Sequence, residues 1–183
     1  MTILHIDSSI TGANSASRVL TASIVNQLKA AQPGDTIVYR DLAADPLPHL
    51  TLEAYADNSV LDEFLAADTV VVGAPMYNFT LPTQLKAWID RLAVAGKTFR
   101  YSQSGPEGLV RDKRVIIALA RGGFYGTGSP AAALEHLETY LRGLFNFIGI
   151  EPEFIAADGL NFGPEKREQS ISQALGETVR LAA

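Results

Sequence analysis

The sequence predicts an α/β domain, a three-layer, doubly wound sheet of five parallel strands in the order 2-1-3-4-5. Three observations predict it. Strand-like apolar runs and helix-period stripes alternate about five times along the chain, the pattern of strand–helix–strand crossovers. Two runs, Val70-Val71-Val72 and Val115 to Ala120, are continuously apolar, as strands covered on both faces must be. No internal repeat, low-complexity tract or linker interrupts the pattern, so residues 1–183 read as one domain.

Taken in order, Thr2 to Asp7 partly alternates apolar and polar residues and reads as the first strand. The hydroxyl-rich stretch from Ser8 to Ser17 follows. Val19, Leu20, Ile24 and Leu28 then recur at helical spacing until Pro33-Gly34 stops the helix. Thr36 to Tyr39 is the second strand. Asp41 to Leu61, with Pro46 and Pro48 and weak periodicity, is expected to be mostly loop with one short helix. Ala66 to Gly73 is the third strand, and Gly73 and Pro75 are expected to break it.

Leu81, Leu85, Trp88, Ile89 and Leu92 form the stripe of the next helix, with Pro82 in its first turn and Gly96 at its end. Lys97 to Val110 suggests a small hairpin. Val115 to Ala120 is the fourth strand. Ser129-Pro130 reads as the start of a long helix, whose stripe is Leu134, Leu137, Leu141, Leu144, Phe145 and Ile148, with His136 on it. Pro152 to Ala156 is the fifth strand, and Pro164 opens a polar helix.

Composition narrows the chemistry. The chain has 183 residues, 47% of them hydrophobic, enough for a sizeable core. It contains no Cys, which excludes disulfides, thiolate catalysis, iron–sulfur clusters and cysteine zinc sites. His5, His49 and His136 match no metal spacing. The net charge of −5 and the lack of a basic cluster argue against nucleic acid and anionic membranes. They also require any phosphate site to be local, built from backbone N–H groups and hydroxyls. With no leader-like start and no long apolar run, a cytoplasmic location is expected.

Three loops carry the unusual residues, after strands one, three and four, which are neighbours in this order. The first presents Ser9, Ser15 and Ser17 ahead of a helix N-terminus, a place that favours an anion, although a single serine there also serves as an ordinary cap. The second presents Met76-Tyr77-Asn78-Phe79: two ring faces and an amide, suited to a flat, heteroatom-rich ring such as a flavin, or to plain packing at a strand end. The third, Arg121-Gly122-Gly123, is either a simple turn or a place where backbone N–H groups reach a ring edge. Trp88 lies on an apolar stripe and is expected in the core or a subunit interface.

Beyond these physical readings, Ala74-Pro75-Met76-Tyr77-Asn78-Phe79 followed by Thr83-Gln84-Leu85-Lys86 closely resembles the FMN-dependent NADH:quinone oxidoreductase and azoreductase family. So do Asp7-Ser8-Ser9-Ile10, Asp41 to Pro46, Thr98 to Tyr101, Gly105 to Val110, Arg121-Gly122-Gly123 and Phe147 to Ile150, in order along the chain. The resemblance implies a flavodoxin-like fold and a homodimer with its active sites at the subunit interface. It implies non-covalent FMN, its phosphate at Ser9, Ser15, Ala16 and Ser17 and its ring against Met76, Tyr77, Asn78 and Phe79. Ala120, Arg121, Gly122 and Gly123 would lie at the ring edge, with Phe124 and Tyr125 as substrate wall. In the family, NADH reduces the flavin and leaves, and a quinone or azo compound then takes both electrons, so no side chain acts as catalyst. Ala16 stands where members often carry a polar residue, Ala120 where a serine is common, Phe124-Tyr125 departs from the family pattern, and residues 41–67 are shorter. Two other readings are a flavodoxin-like carrier passing electrons to a protein partner and a flavin-free binding module. A carrier would favour a strongly acidic rim, for which −5 is weak support.

Overall fold

The structure, a computed structural model, describes residues 1–181. Five parallel strands form its sheet: β1 (Thr2–Asp7), β2 (Thr36–Asp41), β3 (Thr69–Pro75), β6 (Arg114–Ala120) and β7 (Glu153–Ala157), in the order β2-β1-β3-β6-β7. That is the expected 2-1-3-4-5 arrangement, because β4 (Phe99–Ser102) and β5 (Gly105–Gly108) pair only with each other as the expected hairpin. The helices are α1 (Ala16–Ala31), α2 (Leu52–Ala56), α3 (Ser59–Ala66), α4 (Thr83–Ile89), α5 (Glu138–Ile148) and α6 (Pro164–Leu181).

Side chains leave alternate faces of each central strand, and both faces are apolar. Val70, Val72 and Ala74 of β3 join Leu4, Ile117 and Leu119 under α3, α4 and α5. Val71 joins Ile3, Ile116 and Ile155 under α1 and α6. Trp88 is fully buried in the first cluster, edge-on to Phe64.

Four local expectations are corrected. First, β3 does not break at Gly73 but stays paired with β6 through Pro75–Ala120. Met76 N–H donates to the Ala120 carbonyl, so strand alternation turns the missing Pro75 donor toward β1, whose pairing has ended at Ile6–Val72. Second, Pro82 is the cap residue before α4, not its first turn, and α4 stops at Ile89 rather than near Gly96. The buried Thr98 hydroxyl donates to the Leu92 carbonyl and accepts from Val94 N–H, which draws residues 92–98 into a turn.

Third, Asp41 to Leu61, expected to be mostly loop with one short helix, holds α2 and also the start of a second helix, α3. Fourth, no α-helix starts at Ser129-Pro130. Ser129 N–H closes a turn to the Gly126 carbonyl, and α5 begins at Glu138. Its cap is the Glu135 carboxylate, which accepts from the N–H groups of Leu137, Glu138 and Thr139 at 2.8–3.1 Å. His136 thus sits in the turn ahead of the helix, not on it.

Candidate active site

Strands β1, β3 and β6 end side by side, and their three loops meet. Tyr77 joins the first two. Its hydroxyl lies 3.2 Å from Ser9 Oγ and accepts from Ile10 N–H at 3.1 Å. Ser9 Oγ also lies 3.0 Å from Thr11 Oγ1. Ser15 caps α1 by accepting from Arg18 N–H at 3.2 Å, and its Oγ lies 3.1 Å from Ser17 Oγ. Ala16 and Ser17 form the first turn, where helix N–H groups have no intrahelical partner. The serine at the cap therefore does the ordinary capping job, yet Ser9, Ser15 and Ser17 are all buried within the same hydroxyl-rich stretch.

The second loop is a tight turn. Tyr77 N–H donates to the Thr80 carbonyl and Thr80 N–H to the Tyr77 carbonyl, at 2.9 and 3.2 Å. Asn78 and Phe79, the two central residues, have φ of 47° and 73°, the left-handed geometry of a type I′ turn. Asparagine takes this geometry readily, whereas phenylalanine pays about 1–2 kcal/mol for it. The turn is held from outside: His136 N–H donates to the Phe79 carbonyl and Thr80 Oγ1 to the His136 carbonyl. Phe79 stays 41% exposed, so its ring is presented rather than packed away. Met76 packs against the larger core cluster.

The Phe79 ring meets the third loop edge-on, 6.2 Å from the Tyr125 centroid. Ala120 ends β6 opposite Pro75. The carbonyls of Arg121, Gly122 and Gly123 accept from Leu160, Asn161 and Gly159, which fastens this turn to the loop after β7. Among the described residues, no carbonyl takes the Gly122 and Gly123 N–H groups. The Arg121 side chain is turned inward, bonded to both oxygens of Asp158 and to Glu138, with Glu135 at 3.7 Å. Burial works against its charge, but these carboxylates outweigh burial and raise its pKa. Arg121 is therefore a strut, and the glycines are what the turn offers. Phe124 leans on Phe162 and over Gly159, where a Cβ would come 2.5 Å from the ring.

The loop after β7 belongs to the rim, a place the sequence does not assign it. Its signal was the turn cluster Asp158-Gly159 to Gly163-Pro164, which marks a loop but not its neighbours. It reaches the first loop as well, since Arg167 donates to the Asn14 carbonyl at 2.5 Å.

Three carboxylates near these loops are held below the ordinary range. Burial raises Asp7, but His5, whose Nε2 stands 3.5 Å from its carboxylate, the Thr21 hydroxyl that donates to it and the Arg18 guanidinium outweigh that. Arg18 lowers Asp41 by its hydrogen bond. Burial raises Glu135, and the backbone N–H groups it caps more than offset that. A depressed folded pKa contributes stability above the unfolded value of about 4 and loses it as pH falls through the folded value. The unfolding temperature should thus hold steady from about pH 6 to 5 and drop below about pH 4, less steeply in Asp41→Asn. An equally steep drop in that variant would exclude Asp41 as a contributor.

A family model described as flavodoxin-like fold matches residues 1–181. The FMN-dependent NADH:quinone oxidoreductase of Rhizobium meliloti (strain 1021) is 55% identical over 207 aligned positions, covering 100% of both chains. FMN-dependent NADH:quinone oxidoreductase 2 of Bradyrhizobium diazoefficiens is 53% identical, again over 100% of both. Among solved structures, an azoreductase from Bacillus anthracis str. Sterne superposes with a TM-score of 0.91 at 32% identity, over 100% of this chain and 98% of that one. With its sheet order, its three meeting loops and these full-length relatives, the chain belongs to the FMN-dependent NADH:quinone oxidoreductase family, on the flavodoxin-like fold.

Proposed function

We propose that this chain is an FMN-dependent NADH:quinone oxidoreductase that also reduces aromatic azo compounds, working as a cytoplasmic homodimer. The observation that carries the reading is the Tyr77 bridge, which sets a hydroxyl loop at a helix N-terminus against an aromatic turn. The donor set fits FMN. Ser9, Ser15, Ser17 and the first N–H groups of α1, Ala16 included, suit a phosphate that carries no metal. Met76, Tyr77, Asn78 and Phe79 would hold the ring, and the free N–H groups of Gly122 and Gly123, beyond Ala120 and Arg121, would meet its edge. When bound, FMN supplies the two-electron exchange between NADH and the acceptor. The protein's part is to fix the phosphate, stack the ring and place donors, with Phe124 and Tyr125 walling the acceptor side. The relatives are named as oxidoreductases, which sets the electron-carrier reading aside. Among the described residues, no helix is long and apolar enough to cross a membrane.

The test is a visible spectrum of the protein after incubation with FMN and desalting, taken before and after anaerobic NADH. A retained flavin that bleaches and then recovers on adding a quinone is expected, with weaker retention in Asn78→Ala. Retained flavin indifferent to both NADH and NADPH would restore the carrier reading, and a colourless protein would end both.

A further inference from the structure

One partly buried cluster beneath the first loop has no part in the reading above. Arg18, in the first turn of α1, bonds both oxygens of Asp41 at 2.8 Å. The same guanidinium donates to the Tyr39 hydroxyl at 3.1 Å and stands 3.5 Å from Asp7. Its remaining contact is with the loop: Nη2 donates to the Ser9 carbonyl at 2.9 Å. Asp41 is itself fixed, since its Oδ1 accepts from the N–H groups of Ala43 and Ala44. A guanidinium gripped at two oxygens is a rigid plane, not a floating charge.

Attraction for a phosphate does not explain why it is there. A cation in the first turn opposes the helix dipole, and α1 has no acidic residue in that turn. Two carboxylates, Asp7 and Asp41, sit against the one guanidinium, so the cluster offers an anion no net attraction. Its effect on the loop is geometric. It engages the carbonyl of Ser9, an acceptor that would repel a phosphate, and it anchors the residue whose hydroxyl meets Thr11 and Tyr77.

Resting on the functional reading above, we infer that Arg18, held by Asp41, is a positioning residue that shapes the first loop for the flavin phosphate and so sets the preference for FMN over riboflavin. Lysine keeps the charge but cannot span two carboxylate oxygens and a carbonyl in one plane. Asparagine at 41 keeps the size but loses the charged, two-point grip.

The experiment titrates flavin-stripped protein with FMN and, separately, with riboflavin, reading Kd from flavin fluorescence in wild type, Arg18→Lys and Asp41→Asn. Each variant should weaken FMN about tenfold while riboflavin stays within about twofold, a difference of about 1–1.4 kcal/mol between the two ligands. Either variant decides the matter if the other fails to fold. Equal weakening of both flavins would reduce the cluster to general scaffolding and overturn the inference. So would full FMN affinity in Arg18→Lys, which would make charge alone sufficient. A wild-type protein that binds neither flavin would overturn the functional reading instead, and this inference with it.

Discussion

Arg121→Met is expected to lower the free energy of unfolding by about 3 kcal/mol, the low end for removing one partner of a buried ion pair. Arg121 is 4% exposed and ties its own turn to Asp158 and to Glu135 and Glu138 at the start of α5. Without it, three carboxylates face one another across a partly covered space. The cost stays at the low end because Asp158 and Glu138 keep 27% and 30% of their side-chain surface. Arg121→Lys should recover only part, since an ammonium cannot span both Asp158 oxygens and reach Glu138. Urea denaturation with an unchanged m-value is the measurement. A loss below about 1 kcal/mol would mean that solvent already screens the cluster.

The second large effect is expected at Gly108, which ends β5 against the end of α5. A Cβ there would lie 2.2 Å from Gly149 N and 2.3 Å from the Ile148 carbonyl carbon. Those are backbone atoms, so no rotamer change relieves the overlap, and Val110 N–H is already bonded to the Ile148 carbonyl. Gly108→Ala should cost about 3 kcal/mol, the upper part of the overpacking range. For a chain of this size that is a drop of about 6–12 °C in Tm. Gly34→Ala is the control, because its Cβ would meet nothing within 4 Å. Equal Tm values for the two variants would show that the hairpin shifts freely on α5.

The contrast between what could and could not be read follows from the same physics. Strands β3 and β6 were legible because burial on both faces leaves a continuous apolar run that no loop would carry. The three rim loops were legible because strand order alone places them together. Proline misled three times: Pro75 loses a donor on the side where β1 has already stopped pairing, Pro82 stands one place ahead of the first turn as the cap residue of α4, and Pro130 follows a serine whose N–H is spent on a turn. The true cap of α5, Glu135, acts through a side chain reaching forward, which a short apolar stripe does not reveal. Asp41 to Leu61 reads as holding one short helix where α2 and the start of α3 both lie, because five and eight residues give periodicity little room. Arg121 was read at the site by its neighbours in sequence, but its side chain answers to Asp158, 37 positions later.

That separation has a consequence during synthesis. Chains emerge at about 5–20 residues per second, so Ser9 waits about 3–14 s for Tyr77, 68 positions on, and Arg121 about 2–7 s for Asp158, 37 positions on. Until then one loop lacks its bridge and one guanidinium the carboxylate that takes it at two oxygens. A ligand that needs all three loops meets only chains grown past the third, and whatever stability it adds comes late in translation or after it.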